Sequence, residues 1–373
     1  MRSNMPDRRE ALALLAAPML LAGCKPRAAL VALADAGGVG ARRAVFVATS
    51  RQASGPADYG ARRSGTLGYA RYQISVPPGH RPGRVELPGR SGPDPARHFV
   101  AVENHRFSGA AEFRAQLGPA LADRRGEAVV YVHGFNNTFA DGVFRVAQLA
   151  HDLDVPAVAV HYSWPSAAQP LNYAYDRDST LFARDGLERL LVDLRAAGAR
   201  RVTLVAHSMG ALLALETLRQ IEIGGRGRAR ALVQGVVLFA PDIVIELFNA
   251  QARRIGTLPE PFVIFTSRRD AALRLSARLT GQDGTRLGNL EDYGAVSGLR
   301  VLLLDVSAFG DGSALNHFAA ASPALIRLLE SVGAVDAALG RDRAGRPGLF
   351  PGTVLTLQQA TAIILFPLYA LGG

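Results

Sequence analysis

Ser208 stands in Ala206-His207-Ser208-Met209-Gly210, between the apolar run Arg201–Val205 and the run Ala211–Leu215. An apolar stretch of strand length that passes into one of helical length places this serine at a strand-to-helix junction. A serine hydroxyl is a weak nucleophile unless the backbone holds it clear, beside a base that takes its proton. The small residues Ala206 and Gly210 suit a sharp bend at that point. A serine that caps a helix would fit the same junction, so the chemistry depends on what else the chain supplies. A second candidate segment, His133-Gly134-Phe135-Asn136-Asn137, directly follows the apolar run Ala128–Val132. Its backbone N–H groups could face a developing oxyanion, although histidine, glycine and asparagine also make ordinary turns.

Both segments must be positioned by the elements around them. Arg43–Thr49 and Gly68–Val76 read as strands, and His98–Val102 as a short third. The stretch between them, and on to Pro95, is rich in Gly, Pro and Arg and predicts long exposed loops. From Glu127 onward, apolar runs alternate with stretches of helical period. Strands are expected at Ala128–Val132, Ala157–Tyr162, Val202–Ala206, Gly235–Phe239, Phe262–Thr266 and Arg300–Asp305, with helices near 139–152, 179–197, 209–220, 243–254, 270–279 and 315–332. That alternation predicts an α/β fold with a mostly parallel central sheet of about eight strands and helices on both faces. The organisation expected is a leader over 1–23, a linker over 24–42, a catalytic domain over 43–335, and a linker with an apolar C-terminal helix over 336–373.

The strand, tight turn and helix around Ser208 resemble the nucleophile elbow of the α/β-hydrolases, with Ala206 in place of the first glycine of G-x-S-x-G. Further segments join the likeness: Val45–Arg51, Val129–Asn136, His161-Tyr162-Ser163-Trp164-Pro165-Ser166 and Tyr175-Asp176-Arg177. Together they resemble a family of bacterial α/β-hydrolases of unknown function over about 44–329. The resemblance implies a serine, acid, histidine order along the chain. Of eight histidines only His317 lies downstream of Ser208, so it is the implied base. Asp242, Asp270, Asp283, Asp292 and Asp305 lie between them. Asp270, after Phe262–Ser267, occupies the usual place of the acid, and Asp242, after Phe239, is the alternative. The implied oxyanion donors are the N–H groups of Met209 and Phe135. Gly134 would permit close approach, His133 would orient the loop, Asn136 would brace it or touch substrate, and these three with Trp164 are the candidate substrate-binding residues. Trp164, the single tryptophan, is a candidate for lining the acyl pocket, and equally for anchoring a loop. The connection 167–178 suits a small lid, with no catalytic role for Tyr175, Asp176 or Arg177.

Composition bounds the partners. The formal charge is +10, but the arginines are scattered, Lys25 is the lone lysine, and no nucleic-acid-binding motif appears. No metal-ligand spacing and no phosphate-binding loop is present, so no cofactor or metal is expected. One cysteine excludes an internal disulfide. Arg2, Arg8 and Arg9, the apolar stretch Ala11–Ala22 and Leu21-Ala22-Gly23-Cys24 resemble a bacterial lipoprotein signal peptide, which implies lipidation of Cys24. Lys25 after the cysteine leans away from inner-membrane retention, so an exported protein, anchored on the periplasmic side of the envelope and favouring the outer membrane, is expected. The apolar segment Thr353–Leu371, with Gln358, Gln359 and Pro367, is read as an amphipathic or packed helix rather than a span, and as a second membrane contact. The reading is a carboxylic ester hydrolase acting on a small-molecule or lipid ester. An acyltransferase sharing its acyl-enzyme and a non-catalytic envelope binding protein are the alternatives.

Overall fold

In a computed structural model of the chain, the residues described are 38–56, 58–89, 92–281 and 285–309, with Ala28, Leu30, Leu33, Ala36 and His317 and the strands at 353–358 and 362–367. The leader with Cys24, the expected helix 315–332 and the linker that follows it lie outside them.

The strands are β1 (Ala41–Ala53), β2 (Tyr59–Val76), β3 (Val100–Phe107), β4 (Glu127–Val132), β5 (Val158–Ser163), β6 (Arg201–His207), β7 (Gly235–Phe239), β8 (Phe262–Thr266), β9 (Leu302–Asp305), β10 (Thr353–Gln358) and β11 (Ala362–Pro367). They form one sheet in the order β11-β10-β9-β8-β7-β6-β4-β5-β1-β2-β3. From β1 to β10 every neighbouring pair is parallel. β2 and β3 at one edge and β11 at the other run antiparallel. The fold is thus α/β with a mostly parallel sheet flanked by helices. The central strands Val130, Leu204, Leu238 and Ile264 are fully buried, as strands covered on both faces require.

The helices are α1 (Ala110–Asp123), α2 (Phe139–Asp152), α3 (Tyr173–Phe182), α4 (Arg184–Ala196), α5 (Met209–Ile223), α6 (Arg228–Leu232), α7 (Ile245–Ile255) and α8 (Ala271–Leu279). α2 starts on a capping box in which Thr138 and Asp141 satisfy each other's backbone N–H. Three elements differ from the sequence reading. α1 forms despite Gly118-Pro119 because Phe113, Leu117 and Leu121 bury one stripe against the sheet, and that packing outweighs propensity. The helix expected over 179–197 is two helices that meet at Ala183, whose carbonyl accepts the Tyr162 hydroxyl at 2.6 Å. The apolar C-terminal segment is a strand pair rather than a helix, and β10 extends the parallel run beside β9. Its Thr, Val and Ile residues favour a pleated strand.

β4 lies between β5 and β6, so the chain leaves β4 to one side for β5 and returns on the other for β6. That reversal opens a crevice beyond the carboxyl ends of β4 and β6, where open α/β sheets hold their ligands. Both segments singled out above, 133–137 and 206–210, emerge there. Among the described residues no helix is long and apolar enough to cross a membrane.

Candidate active site

Ser208 sits between β6 and α5 with φ 52° and ψ −123°. An L residue reaches that region only under strain, of order 1–3 kcal/mol, and the surroundings hold it there. The Ser208 N–H donates to the Phe239 carbonyl at 2.9 Å, and the Ser208 carbonyl accepts the Asp242 N–H at 3.2 Å. Asn136, Ala168 and Ala240 also have positive φ, so irregular backbone collects beyond the carboxyl ends of β4, β5, β6 and β7. Two glycines permit the close fit. A Cβ on Gly210 would stand 2.3 Å from the His133 carbonyl oxygen, and one on Gly134 would stand 2.9 Å from the Ser208 Cβ. The His133 carbonyl and the Ser208 Cβ, which is fixed to the backbone of the bend, cannot retreat without moving a strand end, so both positions need glycine.

His317 Nε2 lies 2.8 Å from Ser208 Oγ, and its Nδ1 lies 2.7 Å from Asp270 Oδ2. With Nδ1–H donated to the carboxylate, the Nε2 lone pair faces the serine hydroxyl, as proton removal requires. Asp270 is fully buried at the N-cap of α8, where its other oxygen accepts the Leu273 N–H at 3.0 Å. Asp242 is engaged elsewhere. It accepts from Ser276 Oγ at 2.5 Å and Tyr173 OH at 2.9 Å, and pairs with the buried Arg286 at 3.3 Å. The structure therefore brings Asp270, and not Asp242, to the imidazole. The N–H groups of Phe135 and Met209 donate to no acceptor among the described residues, and both belong to segments that flank Ser208. Free N–H groups at a loop and at the first turn of a helix suit a developing oxyanion. His207, the neighbour of Ser208, packs its ring 4.8 Å from that of His317. Burial holds His207 well below the usual histidine range, so it adds no cation beside His317.

Residues 109–332 match the family described as alpha/beta hydrolase of unknown function (DUF900), which is more than half of the chain. The chain belongs to this α/β-hydrolase family. Among solved structures it is similar to a yden-like hydrolase from Pectobacterium atrosepticum, at 18% identity over 59% of this chain and 98% of that one, with a TM-score of 0.27. It is also similar to a monoacylglycerol lipase from Paleococcus ferrophilus, at 15% identity over 48% of this chain and 72% of that one, with a TM-score of 0.24. Among curated proteins, none matches the chain.

Two residues expected at the substrate surface of this α/β-hydrolase lie beneath it. Trp164 has no exposed surface; its Nε1–H donates to the His133 carbonyl at 2.7 Å, and its ring stacks on His133 with centroids 4.7 Å apart. His133 is buried as well, and burial with the nearby Arg51 charge holds its ring neutral. Neutral His133 has one N–H to give, and Gly134 O at 2.9 Å and Trp164 O at 3.0 Å are its two candidate acceptors. Both side chains therefore fix the loop that presents Phe135, and a substrate reaches neither. Gly134 is also buried, and its part is the close approach already described, whereas Asn136 is half-buried at the rim.

The sequence reading assigned no part to Arg51 and none beyond a lid to Asp176, yet these two organise the loop. Arg51 is buried and donates to Ser163 Oγ at 2.9 Å and to the carbonyls of Gly60 at 3.1 Å, Ser166 at 3.0 Å and Asn137 at 2.8 Å. Burial pulls its pKa down to about 10, which leaves it charged at neutral pH. Asp176, also buried, accepts from Ser166 Oγ at 2.6 Å, the Ala167 N–H at 2.7 Å and the Asn136 N–H at 3.3 Å. Together they tie the loop after β4 to the loop after β5 and to α3. Both residues stood within the motif segments Val45–Arg51 and Tyr175-Asp176-Arg177, and that membership was the only signal available in the sequence.

Proposed function

We propose that this α/β-hydrolase is a serine esterase that cleaves carboxylic esters through an acyl-enzyme on Ser208. The observation that carries the reading is the relay from Asp270 Oδ2 through His317 to Ser208 Oγ, with contacts of 2.7 and 2.8 Å. His317 takes the hydroxyl proton as Ser208 Oγ bonds to the ester carbonyl carbon. The carbonyl oxygen, now negative, is held by the N–H groups of Phe135 and Met209, and loss of one such donor costs about 10²–10³ in rate. His317 then returns the proton to the departing alcohol, and water, activated by the same imidazole, releases the acid. Asp270 keeps the imidazole in the required tautomer and stabilises its cation.

The leader pattern supports an exported protein held in the envelope through lipidated Cys24. A fluorophosphonate probe tests the chemistry. Stoichiometric labelling of the folded chain, lost in Ser208→Ala together with p-nitrophenyl butyrate hydrolysis, is expected. A folded chain that takes up no probe refutes the proposal and leaves the fold as a binding scaffold.

A further inference from the structure

Of seven large hydrophobic side chains exposed among the described residues, five lie on the segment 171–182 and on α8, the helix whose N-cap Asp270 meets His317. Tyr173 OH joins the two segments, since it meets both Ser276 Oγ at 3.0 Å and Asp242 Oδ2 at 2.9 Å, and Asp242 in turn donates its N–H to the Ser208 carbonyl. Leu171, two residues before Tyr173 in the chain, and Leu275 and Leu279 on α8 are 87%, 38% and 58% exposed. Leu275 and Leu279 are four apart and share one helix face, beside the exposed Arg274 and Arg278. The one carboxylate between 268 and 279, Asp270, is buried against His317. Among the described residues neither Arg274 nor Arg278 has a carboxylate partner. Arg274 donates to the Arg268 carbonyl at 2.8 Å, which leaves its charge uncompensated. An exposed leucine ridge flanked by arginines without carboxylate partners is the composition of a helix that lies on an anionic bilayer.

The course of the N-terminal chain points the same way. The Ala28 N–H meets Asp141 Oδ1 at 3.4 Å in the first turn of α2, and Ala28 packs in the cluster with Tyr59 and Phe139. These groups lie beyond the carboxyl ends of the parallel strands, on the edge that carries Ser208. Only afterwards does the chain pair Leu33 with Ala101 and enter β1 at Ala41, on the opposite edge. Cys24 precedes Ala28 by four residues, a reach of about 14 Å at most. A lipid on Cys24 would therefore tether the molecule by its catalytic edge.

We propose that this edge docks on an anionic bilayer, with Leu171, Leu275 and Leu279 set among the acyl chains and Arg274 and Arg278 on headgroup phosphates, so that the ester substrates are lipids drawn from that bilayer. The substrate half rests on the serine-esterase reading, and the tether rests on acylation of Cys24.

The lipidated chain, reconstituted in phosphatidylglycerol–phosphatidylcholine vesicles that carry a spin-labelled quencher lipid, tests the docking. Cys24 is the single natural cysteine, so once it is acylated a new thiol is the unique site for an environment-sensitive fluorophore. A label on Leu279→Cys is expected to be quenched and blue-shifted, and one on Arg124→Cys, at the opposite edge, is not. Equal quenching at both positions, or quenching at 124 alone, overturns the proposal. A label at 279 that is shielded only as the chain dimerises assigns this face to a second copy and overturns it too. The Leu275→Gln/Leu279→Gln chain is expected to hydrolyse a vesicle-borne glyceride about tenfold more slowly, with p-nitrophenyl acetate hydrolysis unchanged. Equal loss on both substrates, or on neither, refutes it. Failure of the esterase reading shows separately, as absent Ser208-dependent labelling, and failure of the tether as an unmodified Cys24 peptide by mass spectrometry.

Discussion

Replacing Arg51 by methionine keeps the length of the side chain and removes the group that ties the loops after β4 and β5 to the start of β2. The carbonyls of Gly60, Ser166 and Asn137 and the Ser163 hydroxyl lose a charged donor at 2.8–3.1 Å, in a place that water does not readily reach. Leaving a buried acceptor unmade costs about 1–3 kcal/mol each, and the relief of desolvating one guanidinium offsets part of the sum. The net expectation is a loss of about 3 kcal/mol, which lowers Tm by about 5 °C in a domain of this size. Activity should fall further than stability explains. Asn137, whose carbonyl Arg51 holds, lies two residues after Phe135, so a slack loop misplaces a donor that serves only the transition state. Folded Arg51→Met is therefore expected to lose at least about tenfold in kcat with KM nearly unchanged. Arg51→Lys should fall between the two, since an ammonium restores the charge but not the planar fork. Differential scanning calorimetry and steady-state hydrolysis of p-nitrophenyl butyrate read the two effects. A Tm within about 2 °C of the parent together with an unchanged kcat would refute the reasoning.

Two further expectations concern the carboxylates, and a third concerns the half-buried His80. Asp270→Asn should lower kcat by about 10³–10⁴ with little loss of Tm, because the imidazole loses its tautomer and cation support. Asp242→Asn should instead destabilise by about 3 kcal/mol, since its buried ion pair with Arg286 is broken, while kcat of the folded enzyme changes little; the opposite pattern exchanges the two roles. His80 lies 2.6 Å from Asp152 and 2.7 Å from Glu86, and although burial opposes the charge, these hydrogen bonds raise its pKa to about 9. A histidine raised above its unfolded value near 6.5 contributes stability that is complete below that pH and is lost as pH rises through about 9. Tm measured from pH 6 to about 9.5 should therefore fall more steeply for the parent than for His80→Gln, and parallel curves would exclude the charged pair.

Much of this architecture was legible in local pattern, and the exceptions have physical causes. The run Phe139–Asp152 carries its own capping box and its own apolar stripe, so α2 begins and ends where local chemistry sets it. The central strands are apolar runs between polar connections, and for that reason their existence and type follow from periodicity. α1 was hidden because Gly118-Pro119 weakens the local signal and only burial of Phe113, Leu117 and Leu121 restores the helix. By length and polarity alone the C-terminal segment suits helix or strand. Pairing of β10 with β9 draws it into the sheet.

At the site, the sequence alone determined the residue types and their order: a serine at a strand-to-helix bend, one histidine downstream, and a His-Gly loop after an earlier strand. Those are local or countable properties. Only the tertiary structure shows Asp270, and not Asp242, facing the imidazole, because that depends on which carboxylate is already claimed by Arg286, Tyr173 and Ser276. It likewise moved His133 and Trp164 from the substrate surface to the support beneath it, and brought Arg51 and Asp176 to the loop from 86 and 40 residues away. Long-range contacts of that kind leave no period in a chain. They exist only once the sheet has assembled and excluded water, which is also what makes a buried guanidinium worth its desolvation.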